Sequence, residues 1–354
     1  MKKIIGILIL VFASIVFIAS AVSELTNSFF GLRNKTSVRE KWWGSDKGAA
    51  GDLYGFTCLT QFCVSDTSIL RKPDCSGTNK SYNIYALTDS YTEDIFKHPD
   101  YFCGANKCGY AFSNNGDVLP VHLDTTQRNI VMIECVERNI RTSLADSSHL
   151  KGFLTILKEK INETKAAEKA HSFHFHFNIK NLDGDYETNL WDYRFLRPLK
   201  QLKSKMTFNI FNRTYVDALV SPDGKYLLYQ STVDTSFIQS SYRPIEDKEL
   251  KAIITSLNVA YEHYKRLGFD EVYLSIIPNP TTILYPNYHG LKYNQLIPRL
   301  ENDPRLKLKV FGIYDVFRKS SEKDKLYQRS DTHWTRFGSM VWLNEFNRKM
   351  ASHL

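Results

Sequence analysis

No C-x-x-C pair occurs among the six cysteines, which removes the signature of a zinc knuckle or a thioredoxin-like redox centre. No H-E-x-x-H helix is present, nor any comparable histidine–carboxylate cage. Internal repeats and low-complexity tracts are also missing, so neither a solenoid nor a disordered linker protein is indicated. The formal charge is +8, yet the basic residues are scattered among acidic ones rather than gathered into a basic–aromatic patch. Nucleic-acid binding is therefore not expected. Attraction to an anionic surface or polymer is the easier reading of that charge, and no special ligand at all is easier still. The balance of apolar and charged residues over 354 positions fits one large domain or two ordinary ones.

Charge is lacking over one long run. After Met1-Lys2-Lys3, the segment from Ile4 to Val22 carries no ionisable side chain. That length suits a membrane-crossing helix held by the two lysines, whereas Ala19-Ser20-Ala21 satisfies the small-x-small rule for signal-peptide cleavage. The length of the run favours an uncleaved anchor. Either way the expectation is export to the periplasmic face of the inner membrane, or release from it after cleavage. Residues 1–22 are thus read as anchor or signal peptide, 23–50 as a polar spacer, and 51–354 as the folded body.

Within that body the first apolar strand is read at 82–87, followed by Thr88-Asp89-Ser90 and a helix to about Lys97. A second strand, 129–134, leads into a helical stretch, and a third, 271–277, ends at Pro278-Asn279-Pro280. Helices are expected at 150–168, 189–205, 247–267 with Gly268 as its C′ residue, 293–300 and 335–350, and a further strand at 306–313. The stretch 208–233 reads as a hairpin turning at Pro222-Asp223-Gly224. Strands alternating with helices describe an α/β sandwich around a mostly parallel sheet. The segment from about 145 to 240 is too long for one crossover and reads as a mixed helical and hairpin insertion. Six cysteines permit fifteen pairings, among which Cys103–Cys108 is the first choice. Cys135, inside an apolar run, reads as a buried thiol.

Ser90 is the candidate nucleophile, because active sites of doubly wound folds lie at the carboxyl ends of strands. Asp331-Thr332-His333-Trp334 supplies the partners: His333 as base and Asp331 as the group that fixes its tautomer. The competing reading of both elements is helix capping, since Thr88, Asp89, Ser90, Asp331 and Thr332 are all good N-cap residues. Asn279 is a positional candidate for an oxyanion donor, against a rigid Pro-Asn-Pro turn. Arg138, Tyr293 and Arg299 are candidates for substrate contact, with Trp334 expected to pack rather than react. His171, His174 and His176 read as a polar strand face, so no metal is expected.

Asp89-Ser90 before an aromatic, the Asp331–Trp334 element and Gly338 together resemble the SGNH hydrolase superfamily. The nearest branch is that of periplasmic alginate O-acetylation proteins and related polysaccharide O-acetyltransferases. Gly51-Asp52-Leu53-Tyr54-Gly55 and Tyr293-Asn294-x-Leu-Ile-Pro-Arg299 resemble pieces of the same group. The resemblance implies a three-layer α/β/α sandwich and an acetyl-serine intermediate, with no cofactor. It also implies acetyl transfer to a cell-envelope or secreted polysaccharide, and a membrane-bound acyl donor as partner. A carbohydrate acetylesterase and a non-catalytic polysaccharide-binding or assembly protein are the alternatives. Two departures stand out: Thr88 occupies the glycine position of the usual Gly-Asp-Ser block, and the serine precedes the Asp-x-His-Trp element, whereas in the alginate proteins it follows.

Overall fold

The computed structural model describes residues 2–21, 52–53, 62, 70–113, 116–157, 197–211 and 217–351. The chain divides into two compact units: Met1–Ala50, Tyr54–Cys63 and Glu163–Thr214 form one, and Gly51–Leu53, Val64–Asn162 and Tyr215–Leu354 the other. His171, His174, His176, Cys58 and Cys63 lie outside the described residues.

The first unit contains α1 (Lys2–Ala21) and α2 (Arg197–Phe211). The apolar N-terminal run is helical, as its composition demands, but among the described residues no helix is long and apolar enough to cross a membrane. The expected membrane anchor, the attachment to a membrane through the N-terminal segment and the inner-membrane location are corrected on this ground.

The second unit is built on five strands: β1 (Tyr82–Thr88), β2 (Ala105–Phe112), β3 (Arg128–Val136), β4 (Glu271–Ile277) and β5 (Lys309–Val310), in the order β5-β4-β3-β1-β2. All pairings are parallel, with Leu87 opposite Ile133 and Ile133 opposite Leu274. Every residue of β1 is buried, as is all of β3 beyond Arg128 and all of β4 beyond Glu271. That is why these three read as continuous apolar runs: both faces of a parallel sheet are covered by helices. The two buried asparagines among them satisfy each other, Asn83 Nδ2 donating to Asn129 Oδ1 at 3.0 Å. β2 is an edge strand with Asn106 and Lys107 exposed, so it lacks the run that announces a strand.

The long helix α3 (Asp247–Arg266) buries Leu250, Ile253, Ile254, Leu257, Ala260 and Tyr264, spaced at three and four residues. Asp247 and Glu249 in its first turn and His263, Lys265 and Arg266 in its last complement the helix dipole. Gly268 ends it at φ +96°, a conformation glycine adopts without a Cβ penalty. The expected hairpin forms between Ala218–Val220 and Leu227–Tyr229, turning through Gly224 at φ +69°. Other expectations are revised. Residues 154–156 form a short strand against Leu119–Val121 instead of continuing a helix, and α2 runs on to Phe211, past the expected end at Lys205, while residues 189–196 of that expected helix lie outside the described residues. The last strand shortens to Lys309–Val310.

The disulfide joins Cys75 to Cys103, with Cα atoms 5.1 Å apart, and Cys108 is free. The Cys103–Cys108 pairing fails because Cys108 lies within extended β2, carried away from Cys103 at ~3.3 Å per residue. Burial pushes the Cys108 thiol up to about 12.

The C-terminal helix α4 (Arg336–Ala351) meets the preceding chain closely at Gly338. A Cβ there would stand 2.4 Å from the Leu326 carbonyl oxygen and 2.9 Å from Trp334 Cβ. Because the nearest obstacle is backbone, Gly338→Ala should lower stability by about 1–3 kcal/mol. Gly152→Ala, whose Cβ would meet nothing within 4 Å, serves as the control. Equal urea midpoints for the two variants would show that the close approach carries no such constraint.

Candidate active site

Beyond the end of β1 the chain turns sharply, and the turn is held by buried carboxyl groups. Asp89 accepts the Tyr91 N–H on Oδ1 and the Val136 N–H on Oδ2, both at 2.8 Å. Its own N–H donates to Glu134 Oε2 at 2.8 Å, an oxygen that also accepts the Thr92 hydroxyl at 2.7 Å. Thr88 is wholly buried and directs its hydroxyl to the Ala111 carbonyl of β2 at 3.4 Å. Asp89 thus acts as the turn's internal anchor, and Ser90 is left exposed at its apex.

Ser90 Oγ lies 2.6 Å from His333 Nε2, and His333 Nδ1 lies 2.6 Å from Asp331 Oδ1. The same Asp331 oxygen accepts the His333 backbone N–H at 2.8 Å. The loop carrying them is pinned before α4 by a bridge between Tyr327 and Trp334 and by the Gln328 N–H, which donates to the His333 carbonyl at 3.1 Å. Burial opposes the negative charge on Asp331, but the hydrogen bond and charge of His333 outweigh it and hold the carboxyl below its ordinary range. Burial also works against a positive His333; the Asp331 hydrogen bond, its charge and that of Asp52 more than offset it, so the imidazole titrates above its usual value. An ionised Asp331 accepts the hydrogen bond of the Nδ1–H, which fixes the proton on that nitrogen and leaves the Nε2 lone pair facing the serine hydroxyl.

Tyr91 backs the histidine. Its ring lies 4.7 Å from the His333 ring and 5.4 Å from that of Trp334, centroid to centroid. Its hydroxyl donates to the Thr332 carbonyl and accepts from Arg138 Nη1 at 3.1 Å. Arg138 sits over the Tyr91 ring at 5.5 Å and borders a narrow pocket with Asp331, Thr332, Leu53 and Tyr229. Among the candidates for substrate contact, Arg138 is the one the fold carries to the serine–histidine group.

The remaining candidates are occupied elsewhere. Asn279 is fully buried; its amide donates to Ser241 Oγ at 3.1 Å and its N–H to Glu137 Oε2 at 2.9 Å, so the side chain is committed to an internal network. Tyr293 is buried, with its hydroxyl accepting the Ile297 N–H at 3.0 Å. Arg299 is spent on the Ile245 carbonyl and Asp247 and borders a separate pocket with Asp303. Trp334 is buried and packs on Trp342 and Phe317. Asn279 and Tyr293 are thus buried, and Arg299 is engaged by the Ile245 carbonyl and Asp247.

One residue had no assigned role in the sequence. Asp52 accepts the Thr332 N–H at 2.7 Å and the Thr332 hydroxyl, while its own N–H donates to Asp331 Oδ2 at 3.0 Å. Asp52, Asp331 and His333 place their polar atoms within 4.8 Å of one another. The Gly-Asp-Leu-Tyr-Gly segment offered no local signal that its acid would reach a loop 280 residues away.

Glu134 is held well above the ordinary carboxylate range, first by burial and then by the charge of Asp89. The folded state therefore keeps a proton that the unfolded chain releases near pH 4.5, and the stability this group contributes is lost as pH rises from there toward its folded value. Glu134→Gln, which keeps an acceptor for the Asp89 N–H without a titrating group, should gain stability relative to the parent between pH 4 and 8. Urea unfolding at both pH values checks this, and a pH-independent difference between the two proteins would refute it.

Comparison with protein-family models, with curated proteins and with solved structures matches the chain to none of them.

Proposed function

We propose that the protein is a serine-dependent acyltransferase that moves an acetyl group onto a polysaccharide hydroxyl through an acetyl-serine intermediate. The observation that carries this reading is the continuous chain Ser90 Oγ–His333 Nε2–Asp331, with both links at 2.6 Å. Two independent helix caps would have no reason to meet in that geometry.

In the first step Ser90 Oγ attacks the acetyl carbonyl while its proton passes to His333 Nε2. Collapse of the tetrahedral adduct breaks the bond to the donor oxygen, which takes the proton from His333. In the second step a sugar hydroxyl gives its proton to His333 and attacks the acetyl-serine carbonyl; collapse of that adduct breaks the bond to Ser90 Oγ, which takes the proton back from His333. Asp331 stays ionised throughout and holds the imidazole in the tautomer both steps require. With the Asn279 amide turned to Ser241 and the Tyr91 N–H taken by Asp89, the Ser90 N–H is the donor best placed within the turn for the oxyanion. Water in place of the sugar makes the same enzyme a carbohydrate acetylesterase. The Asp331–Trp334 element, through its likeness to polysaccharide O-acetyltransferases, favours the sugar.

The test is incubation of the full chain with a chromogenic acetyl ester, with and without polysaccharide acceptors, followed by mass analysis of the Ser90 peptide. Ser90→Ala should remove the acetyl-enzyme and lower turnover by at least ~10³-fold, and Asp331→Asn by about 10³–10⁴-fold with the fold intact. Full ester turnover in Ser90→Ala would sink the mechanism. Folded wild-type protein that neither acetylates nor hydrolyses would favour the non-catalytic polysaccharide-binding alternative. Because the base must be neutral and His333 titrates above its ordinary value, kcat/KM should rise with pH to a plateau whose midpoint exceeds that of a free histidine. A midpoint below 6.5 would contradict the assignment of His333 as base.

A further inference from the structure

We infer that Asp52 is a positioning residue for the Asp331–His333 pair, clamping the loop that carries them from a segment 280 residues earlier in the chain. The inference rests on the reading of Ser90, His333 and Asp331 as an acyl-transfer group and adds a fourth member that never meets the reacting atoms.

The contacts are reciprocal. Asp52 Oδ1 accepts the Thr332 N–H at 2.7 Å and Oδ2 accepts the Thr332 hydroxyl, so both carboxylate oxygens are spent on the residue between Asp331 and His333. In the other direction, the Asp52 N–H donates to Asp331 Oδ2 at 3.0 Å. One residue on, the Leu53 N–H donates to the Ser330 carbonyl at 3.0 Å. With Oδ2 held from outside, Asp331 keeps Oδ1 for His333, whose ring nitrogen and backbone N–H it accepts at 2.6 and 2.8 Å. A carboxylate gripped on one side cannot rotate to offer its other oxygen or swing off the imidazole. The Thr332 carbonyl, meanwhile, is held by Tyr91, so the loop is gripped from two directions at the residue between base and orienter.

Asp52 also acts by charge. Its Oδ2 is 3.6 Å from His333 Nδ1, within ion-pair range of the protonated ring though not its hydrogen-bond partner. The groups facing His333 are Asp331 and Asp52, which favour the imidazolium, Arg138, which opposes it, and the uncharged Ser90 and Tyr91. Removing one acid from that set lowers the pH at which the ring protonates.

Two substitutions separate clamp from charge. Asp52→Asn retains an acceptor for the Thr332 N–H and loses the charge; Asp52→Ala loses both. The His333 ring is followed by nitrogen-15 NMR titration of the full chain, alongside the pH profile of kcat/KM with the acetyl ester. Both variants should titrate at lower pH than the parent, and both should move the acid limb of the profile in the same direction. Asp52→Ala should lower kcat by roughly 10- to 100-fold with KM changed little, and Asp52→Asn by less, because a misplaced base costs turnover rather than binding. Thr332→Val, which removes the hydroxyl half of the clamp and no charge, should lower kcat while moving the titration less than Asp52→Asn does, since that hydroxyl stands 3.4 Å from His333 Nδ1. It also gives a second reading should Asp52→Ala fold poorly. An unchanged His333 titration in Asp52→Asn, or a wild-type kcat in both Asp52→Ala and Thr332→Val, overturns the inference. If the parent protein shows no ester turnover, the acyl-transfer reading fails on its own, while the titration still reports whether Asp52 governs the ring.

Discussion

The hydrogen-bonded register between β1 and β3 is the constraint from which the site follows. Leu87 stands opposite Ile133, so the chain leaving β1 passes the last residues of β3 with Asp89 level with Glu134 and Val136. Both of those residues bond to it directly. A shift of one residue would exchange the two faces of the strand and turn Asp89 away from the Val136 N–H. The apolar sheet thus does more than fill a core. It fixes the height at which a polar turn emerges and which neighbour's backbone that turn can use.

Two acids near the serine show how the same burial leads to opposite outcomes. For Glu134 and Asp331 alike, burial is the foremost influence and disfavours the charge. Glu134 has a second carboxylate beside it and hydroxyl and amide donors that do not compensate, so it retains its proton. Asp331 has an imidazole that can become positive, and it stays charged. The neutral acid stiffens the turn and the ionised one holds the His333 ring; the difference lies in the partner rather than in depth.

What was legible in the sequence followed the range of the interaction. β1, β3 and β4 could be read because burial on both faces leaves an unbroken apolar run. β2 could not, since an edge strand carrying Asn106, Lys107 and Gly109 has no such run. Asp331 and His333 could be paired because two residues separate them, and Ser90 could be joined to them by its place at a strand end. Asn279, Tyr293 and Arg299 were of the right chemical type and near the right strand ends, but type does not reveal which side of a short helix a residue faces. Asn279 and Tyr293 turn to buried partners, and Arg299 to an ion pair with the exposed Asp247. Asp52 was beyond reading for a different reason: its contacts with Asp331 and Thr332 span most of the chain. The cysteine pairing failed similarly, because Cys75 and Cys103 are brought together by the approach to β1 and β2 and not by spacing.

The separation of 243 residues between Ser90 and His333 also orders events during synthesis. At about 5–20 residues per second, the ribosome needs roughly 12–50 s after making Ser90 before His333 exists at all. Through that interval Ser90 lacks the imidazole that faces it in the folded chain. The segment around Asp52 waits longer still for the loop it grips. Asp331 and His333 enter the chain together just before the last helix, Arg336–Ala351, so the three side chains can meet only after every strand of the sheet has been made.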